Sequence, residues 1–135
     1  LAEGIPFTVA VCDLDHFKNV NDGFGHDVGD SALVLFARTV RRVVRHTDIV
    51  VRHGGEEFLV ILPRTFKDQA VGVLDRVRLE LAVAVADTGS PAYTFSAGVT
   101  DTTERSDWTA LLQVADQRLL HAKRLGRDRV LASIA

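Results

Sequence analysis

Arg52-His53-Gly54-Gly55-Glu56-Glu57-Phe58, set between Ile49-Val50-Val51 and Phe58-Leu59-Val60-Ile61-Leu62, decides how this chain folds. Two short apolar runs rich in β-branched residues read as strands. The Gly-Gly pair between them predicts a two-residue hairpin turn, because such turns need positive φ and glycine adopts it without a Cβ penalty. The hairpin projects Glu56 and Glu57 at its tip or just past it. Adjacent carboxylates in an exposed turn repel each other and bury nothing. They do suit a hard divalent cation.

Upstream, Phe7 to Cys12 is a compact run that predicts a buried strand. It leads into Asp13-Leu14-Asp15, and a loop rich in Asp, Asn and Gly is expected from Asp13 to Asp30. Asp30 or Ser31 is expected to cap a helix running to about Arg45, on the spacing of Leu33, Phe36, Ala37, Val40, Val43 and Val44. Downstream, Pro63 closes the hairpin, and a second helix is expected over 67–85 on Ala70, Val73, Leu74, Val77, Leu81 and Val85. After a Gly89-Ser90-Pro91 turn, Tyr93 to Thr100 reads as a strand. Asp107 to about Leu125 reads as a third helix, with Gly126 as its C-cap and a last short strand at 129–132. The order β-α-β-β-α-β-α-β predicts an α+β fold: a mainly antiparallel sheet with helices packed on it.

At 135 residues, 47% hydrophobic and 25% charged, the chain has the size and make-up of one folded domain. A net charge of −2 supplies no basic field for a nucleic-acid polymer. The single cysteine, Cys12, reads as a small core residue; it excludes an intrachain disulfide and fits a reducing compartment. No run approaches the ~18 apolar residues of a membrane span, and no signal-peptide pattern opens the chain, so no membrane contact by this domain is expected. The chain opens at Leu1 and holds no methionine, so a piece of a longer protein is expected, with upstream domains outside it.

If the hairpin lies beside the first strand, Asp13 and Glu56 converge from distant parts of the sequence. Two or three carboxylates plus a backbone carbonyl leave positions open on Mg²⁺ for phosphate oxygens. Two such ions could clamp an in-line phosphoryl or nucleotidyl displacement. Asp13-Leu14-Asp15 is not an EF-hand opening, since Phe17 stands where an oxygen ligand belongs and Lys18 where the turn glycine belongs. No P-loop occurs, and the five histidines show no zinc-site spacing with the cysteine. Lys123 and Arg127, four apart at a helix end, are expected to share a face and reach one polyanion, or else to offset the helix dipole. Arg38, Arg41, Arg42 and Arg45 form a basic stripe that reads first as a solvated face.

With these residues in place the chain resembles the GGDEF family of diguanylate cyclases, bacterial enzymes that condense two GTP molecules into cyclic di-GMP. Four segments carry the resemblance: Asp13-Leu14-Asp15-His16-Phe17-Lys18-Asn19-Val20-Asn21-Asp22, Gly25-His26-Asp27-Val28-Gly29-Asp30, Arg52 to Phe58 in the GGEEF form, and Ala115-Asp116-Gln117-Arg118 through Ala122-Lys123-Arg124-Leu125-Gly126-Arg127. The resemblance implies a palm-like sheet akin to adenylyl cyclases. It implies that Asp13 and Glu56 ligate Mg²⁺ (or Mn²⁺), two ions per site, with the Leu14 carbonyl assisting. Glu57 would be a second-metal ligand or would help deprotonate the 3′-hydroxyl. Asn21 and Asp30 match the guanine-reading pair, while N–H groups near Phe17 and Lys18, with Lys123 and Arg127, would hold the β- and γ-phosphates.

The resemblance further implies an antiparallel homodimer in which each domain brings one GTP. Cyclic di-GMP would be product and inhibitor, held by Arg45-His46-Thr47-Asp48 with Arg76 (or Arg78) supplying a third contact. A cytoplasmic domain of a parent open to membrane anchoring is implied too. Three departures stand out: the family's opening D-x-L-T-x-L-x-N-R segment precedes this chain, Leu120 stands where many members carry tyrosine, and Asp128 where many carry asparagine. A catalytically silent domain that senses GTP or cyclic di-GMP is the alternative, and intact Asp13, Glu56 and Glu57 argue against it. A structural dimerisation module would leave the exposed carboxylates without purpose, and Asp30 argues for guanine over an ATP-cyclising relative.

Overall fold

The computed structural model describes residues 4–89 and 91–134. Five strands, β1 (Phe7–Leu14), β2 (Ile49–Arg52), β3 (Glu57–Pro63), β4 (Phe95–Asp101) and β5 (Val130–Leu131), form one sheet in the order β2-β3-β1-β4-β5. Neighbours run antiparallel except β4 and β5, which are parallel. That exception follows from connectivity, because a parallel pair needs a crossover and helix α4 (Trp108–Arg124) supplies it. The α+β, mainly antiparallel reading holds.

β1 lies at the centre and is covered on both faces, which is why its run is apolar without alternation. Ala10, Cys12 and Leu14 join the larger core, built with helices α2 (His26–Val43) and α3 (Lys67–Thr88). Val9 and Val11 instead meet Ala115 and Leu119 of α4 on the other face. Phe36 anchors the larger core, its ring centroid 4.9 Å from those of both Phe58 and Phe95. Cys12 is fully buried there, and burial pushes its thiol well above the usual range, so it is an inert core residue as expected.

One expectation fails. The stretch from Asp13 to Asp30, read as a loop, holds helix α1 (Phe17–Phe24) and the first turn of α2. Asp30 and Ser31 therefore sit inside α2 rather than capping it. Gly25, at φ 92°, breaks the chain between the two helices. α1 forms because Val20 is buried and Phe17 packs against the core, a gain that outweighs poor local propensity. Smaller differences are at ends: α3 runs on to Thr88 before Gly89 closes it in the left-handed conformation, β4 begins at Phe95, and β5 spans two residues. Ser90 of the expected turn lies outside the described residues. Asp107 caps α4 by accepting from the Ala110 N–H at 3.0 Å.

Behind the sheet's far end, Asp101 accepts from the Lys67 N–H at 2.7 Å and from Thr103, while Glu104 binds Lys67 and Arg118. Burial alone would raise both carboxyls, but these hydrogen bonds and cations outweigh it and hold both below their usual ranges. A depressed folded-state pKa gives stability that is present above the unfolded value and lost as pH falls through the folded one. The melting temperature is thus expected to fall steeply below about pH 4. Glu104→Gln should flatten that acid limb in thermal scans; a limb identical to wild type would contradict the assignment.

Candidate functional site

Sheet register assembles the site. Asp13, the penultimate residue of β1, lies directly opposite Glu57, the first residue of β3. Next to that pair the Leu14 N–H donates to the Glu56 carbonyl at 3.2 Å. The hairpin turn is wider than the two-residue turn expected. Arg52 and Phe58 form the last strand pair, the His53 N–H reaches the Glu57 carbonyl at 2.7 Å, and the Glu57 N–H closes on Gly54 at 2.8 Å. Both glycines do take positive φ, 121° and 25°. Arg52 Nε ties down the Gly55 carbonyl at 2.8 Å. Glu56 therefore lies within the turn while Glu57 belongs to the strand, and it is Glu57 that faces Asp13.

Negative charge is crowded here. Asp13 is buried, and among the described residues its only ion-pair partner is Lys123, whose Nζ lies 2.6 Å from Oδ2. Burial pushes the Asp13 carboxyl up, Lys123 pulls it back, and Glu56 and Asp15 raise it further. Glu57 is likewise raised by burial and by Asp116 and Asp13, with His53 and Lys123 opposing. Raised carboxyls favour the folded state as pH falls through them, opposite in sign to Asp101 and Glu104. Among the described residues no group of three or more His, Cys, Asp and Glu forms a ready cation cage. Mg²⁺ is commonly held by one or two carboxylates plus substrate phosphates rather than by a full protein cage. The oxygens of Asp13, Glu56, Glu57 and the Leu14 carbonyl are the hard donor type such an ion takes.

Asp116 is a participant that the sequence reading passed over. Its signal was available: Asp116 and Lys123 are seven apart on one helix, so they share a face. The converse holds for Arg127, expected on the same helical face as Lys123. α4 ends at Arg124 in a Schellman arrangement, with the Arg127 N–H on the Ala122 carbonyl at 3.0 Å and the Gly126 N–H on Lys123 at 3.4 Å. Arg127 is left-handed, at φ 66°, and lies outside the helix.

Asn21 lies one turn from Phe17 on α1 and packs on α2 at Gly29. A Cβ at Gly29 would sit 1.7 Å from Asn21 Oδ1 and 3.3 Å from Phe17 Cζ. This close approach lays the Asn21 side chain across α2, one residue from exposed Asp30. α1 starts at left-handed His16 with no side-chain cap, so the first-turn N–H groups of Phe17 and Lys18 are not capped by that side chain and have no partner within the helix.

Arg45 is exposed, but its guanidinium is held in place. It pairs with Asp48 at 3.0 Å and also donates to the Pro63 carbonyl and Thr65 Oγ1. Arg45, Asp48 and Thr65, with Arg64 and Gln69, line a cavity of about 250 Å³. Neither arginine expected as the third contact joins them. Arg76 faces Glu80 at 4.0 Å, and Arg78 is bound to Asp75 and Asp128, so neither lines that cavity within one chain.

Comparison with known proteins places this arrangement. The family model for the diguanylate cyclase GGDEF domain matches residues 2–129. Diguanylate cyclase DgcP of Pseudomonas aeruginosa is 41% identical over 130 residues, which cover 95% of this chain and 19% of DgcP. The crystal structure of diguanylate cyclase SiaD, in complex with its activator SiaC, from the same species superposes with a TM-score of 0.86 at 39% identity, over 95% of this chain and 50% of SiaD. The GGDEF domain of DgcB from Caulobacter crescentus in complex with c-di-GMP gives 0.86 at 31%, over 96% of this chain and 78% of that one. The chain thus spans about a fifth of DgcP and half of SiaD. With its palm-like sheet and its Gly-Gly-Glu-Glu-Phe hairpin, the chain belongs to the GGDEF family of diguanylate cyclase domains.

Proposed function

We propose that this domain is a working diguanylate cyclase that condenses two GTP molecules into cyclic di-GMP with release of pyrophosphate. The observation that carries the reading is the strand register that sets Asp13 against Glu57 beside Glu56 and Asp116, with Lys123 the one cation paired there among the described residues. Asp13, Glu56, Glu57 and the Leu14 carbonyl would hold Mg²⁺ or Mn²⁺, two ions in all. Bound there, they would offset the charge that develops on the phosphoryl oxygens. Lys123 compensates Asp13 in the ligand-free protein and, once released, is within reach of a triphosphate. Glu57 serves as a further ion ligand or takes the 3′-hydroxyl proton, a role its raised pKa suits.

Asn21 and Asp30 read the guanine, and the first-turn N–H groups of Phe17 and Lys18, with Arg127, take the β- and γ-phosphates. One domain brings one GTP, so two must face each other in a homodimer. Gly29→Ala is expected to push Asn21 aside without breaking the helix pair, since the new methyl meets only side chains, the Asn21 amide and, at 3.3 Å, the edge of the Phe17 ring. GTP affinity should fall about tenfold, the scale of one lost hydrogen bond, and unchanged titration curves would refute the guanine assignment. Cyclic di-GMP is proposed to inhibit through Arg45 and Asp48, with Arg76 coming from another chain. Arg45→Ala should then relieve inhibition by added product; inhibition identical to wild type would contradict this.

The direct test incubates the full-length protein with GTP and Mg²⁺ and resolves products by chromatography. Cyclic di-GMP and pyrophosphate should accumulate with wild type and not with Glu56→Ala. A wild type that makes no cyclic di-GMP at micromolar protein sinks the proposal.

A further inference from the structure

Asp15 lies just past β1, two residues from Asp13, and is 3% exposed. No cation pairs with it among the described residues. Its Oδ1 accepts from Ser96 Oγ at 2.7 Å, and its Oδ2 from Thr94 Oγ1 at 2.6 Å and from the Asp128 N–H at 3.0 Å. A buried carboxylate without a counter-ion is costly, and neutral side chains could tie β1 to β4 more cheaply. What Asp15 adds is an acceptor for the backbone of the turn after α4.

That turn is strained. Gly126, Arg127 and Asp128 take φ of 121°, 66° and 49° in succession, and two of the three carry a Cβ. Such conformations persist where the surroundings over-determine them, and they cluster at ligand clamps. Here α4 holds the Arg127 N–H, Asp15 holds the Asp128 N–H, and Arg129 Nε holds the Arg127 carbonyl at 2.9 Å. From α3, Arg78 takes the Asp128 carbonyl at 2.8 Å and its carboxylate at 3.1 Å, and is itself braced by Asp75. Within this fixed frame the Arg127 guanidinium makes no hydrogen bond or ion pair with any described residue. The backbone is clamped and the cationic head is left for a ligand.

We infer that Asp15, with Arg78 through Asp128, is a positioning residue: it locks the Gly126-Arg127-Asp128 turn to the metal-site strand and so presents Arg127 to the phosphates of a bound nucleotide. The inference rests on the GTP-binding reading above. It also gives Arg78 a role inside its own domain rather than at the product site.

The test is equilibrium binding of GTP and, separately, of guanosine to the full-length protein. Asp15→Ala should weaken GTP about tenfold while guanosine affinity stays unchanged, because only the phosphate contact is lost. Asp15→Asn should restore GTP affinity to within roughly threefold, since its amide oxygen still accepts from Asp128 while its NH₂ donates to a hydroxyl. Asp15→Ala combined with Arg127→Ala should bind GTP no more weakly than Arg127→Ala alone, the signature of one residue acting through another. Arg78→Gln, at a half-buried site on α3, should weaken GTP in the same direction and carries the test if Asp15→Ala fails to fold. Unchanged GTP affinity in these variants, equal losses for GTP and guanosine, no rescue by asparagine, or additive losses would each overturn the clamp. Variants that match a wild type able to bind GTP overturn the clamp alone, whereas a wild type that binds no GTP overturns the cyclase reading with it.

Discussion

Asp13→Ala should lower the rate of cyclic di-GMP formation by about 10³-fold or more, the scale on which loss of a preorganised electrostatic group is felt. Asp13 is the buried carboxylate at the centre of the constellation, opposite Glu57 and beside the Glu56 carbonyl. Nothing nearby can replace it: Glu56, Glu57 and Asp116 lie on other elements, and both Asp15 oxygens already accept hydrogen bonds from Thr94, Ser96 and the Asp128 N–H. The same substitution should leave the melting temperature within a few degrees of wild type. Burial already penalises the Asp13 charge, so its removal relieves a cost as well as an ion pair. Lys123, its side chain 31% exposed, can turn to solvent rather than stay buried unpaired. A variant that keeps substantial activity would contradict the site assignment, and one that unfolds would contradict the energetic account.

Gly98→Val should be the most damaging substitution for the fold. At Gly98 helix α4 lies directly on β4, so that even a Cβ would sit 1.9 Å from the Ala115 carbonyl oxygen, 2.4 Å from the Leu119 nitrogen and 2.9 Å from Arg118 Cβ. Two of those atoms are helix backbone and cannot swing away. The helix must lift from the sheet, breaking the bond from Arg118 Nη1 to the Val99 carbonyl and opening the smaller core around Val9, Val11 and Leu59. A cost of at least about 3 kcal/mol is expected, the upper end for overpacking, which lowers the melting temperature by roughly 10 °C. Activity should vanish along with stability, because α4 carries both Lys123 and Asp116. Gly72→Ala in α3, where nothing lies within 4 Å of the new Cβ, is the control and should be neutral or stabilising. Equal melting points for the two variants would show that the α4–β4 contact is not limiting.

These effects show what the sequence could reveal and what it could not. The hairpin, the apolar run of β1 and the three long helices were legible because apolar spacing and the positions of Gly and Pro speak for them directly. α1 was not. Its eight residues include Asn, Asp and Gly, and it is helical only because Val20 and Phe17 find the core, which is tertiary information. The convergence of Asp13 on the glutamates was readable as a condition, that the hairpin should lie beside β1. Only the register settles that Glu57, not Glu56, stands opposite. Lys123 was picked out for phosphate, yet in the ligand-free chain it rests on Asp13. Arg127 was placed on a helix that stops three residues before it, because Gly126 marks a helix end without giving the path beyond. Asp15 fell within the loop expected from Asp13 to Asp30, and no local pattern announces that β4 and the α4 turn will close over it.

The most direct measurement of the central claim is the initial rate of cyclic di-GMP formation from GTP and Mg²⁺ as a function of protein concentration. A site that supplies one GTP per domain predicts a specific rate that climbs in proportion to concentration at low protein and then levels off as the dimer fills, with Asp13→Ala flat at background throughout. GTP turned over at a specific rate independent of concentration, or consumed without cyclic di-GMP appearing, would contradict it.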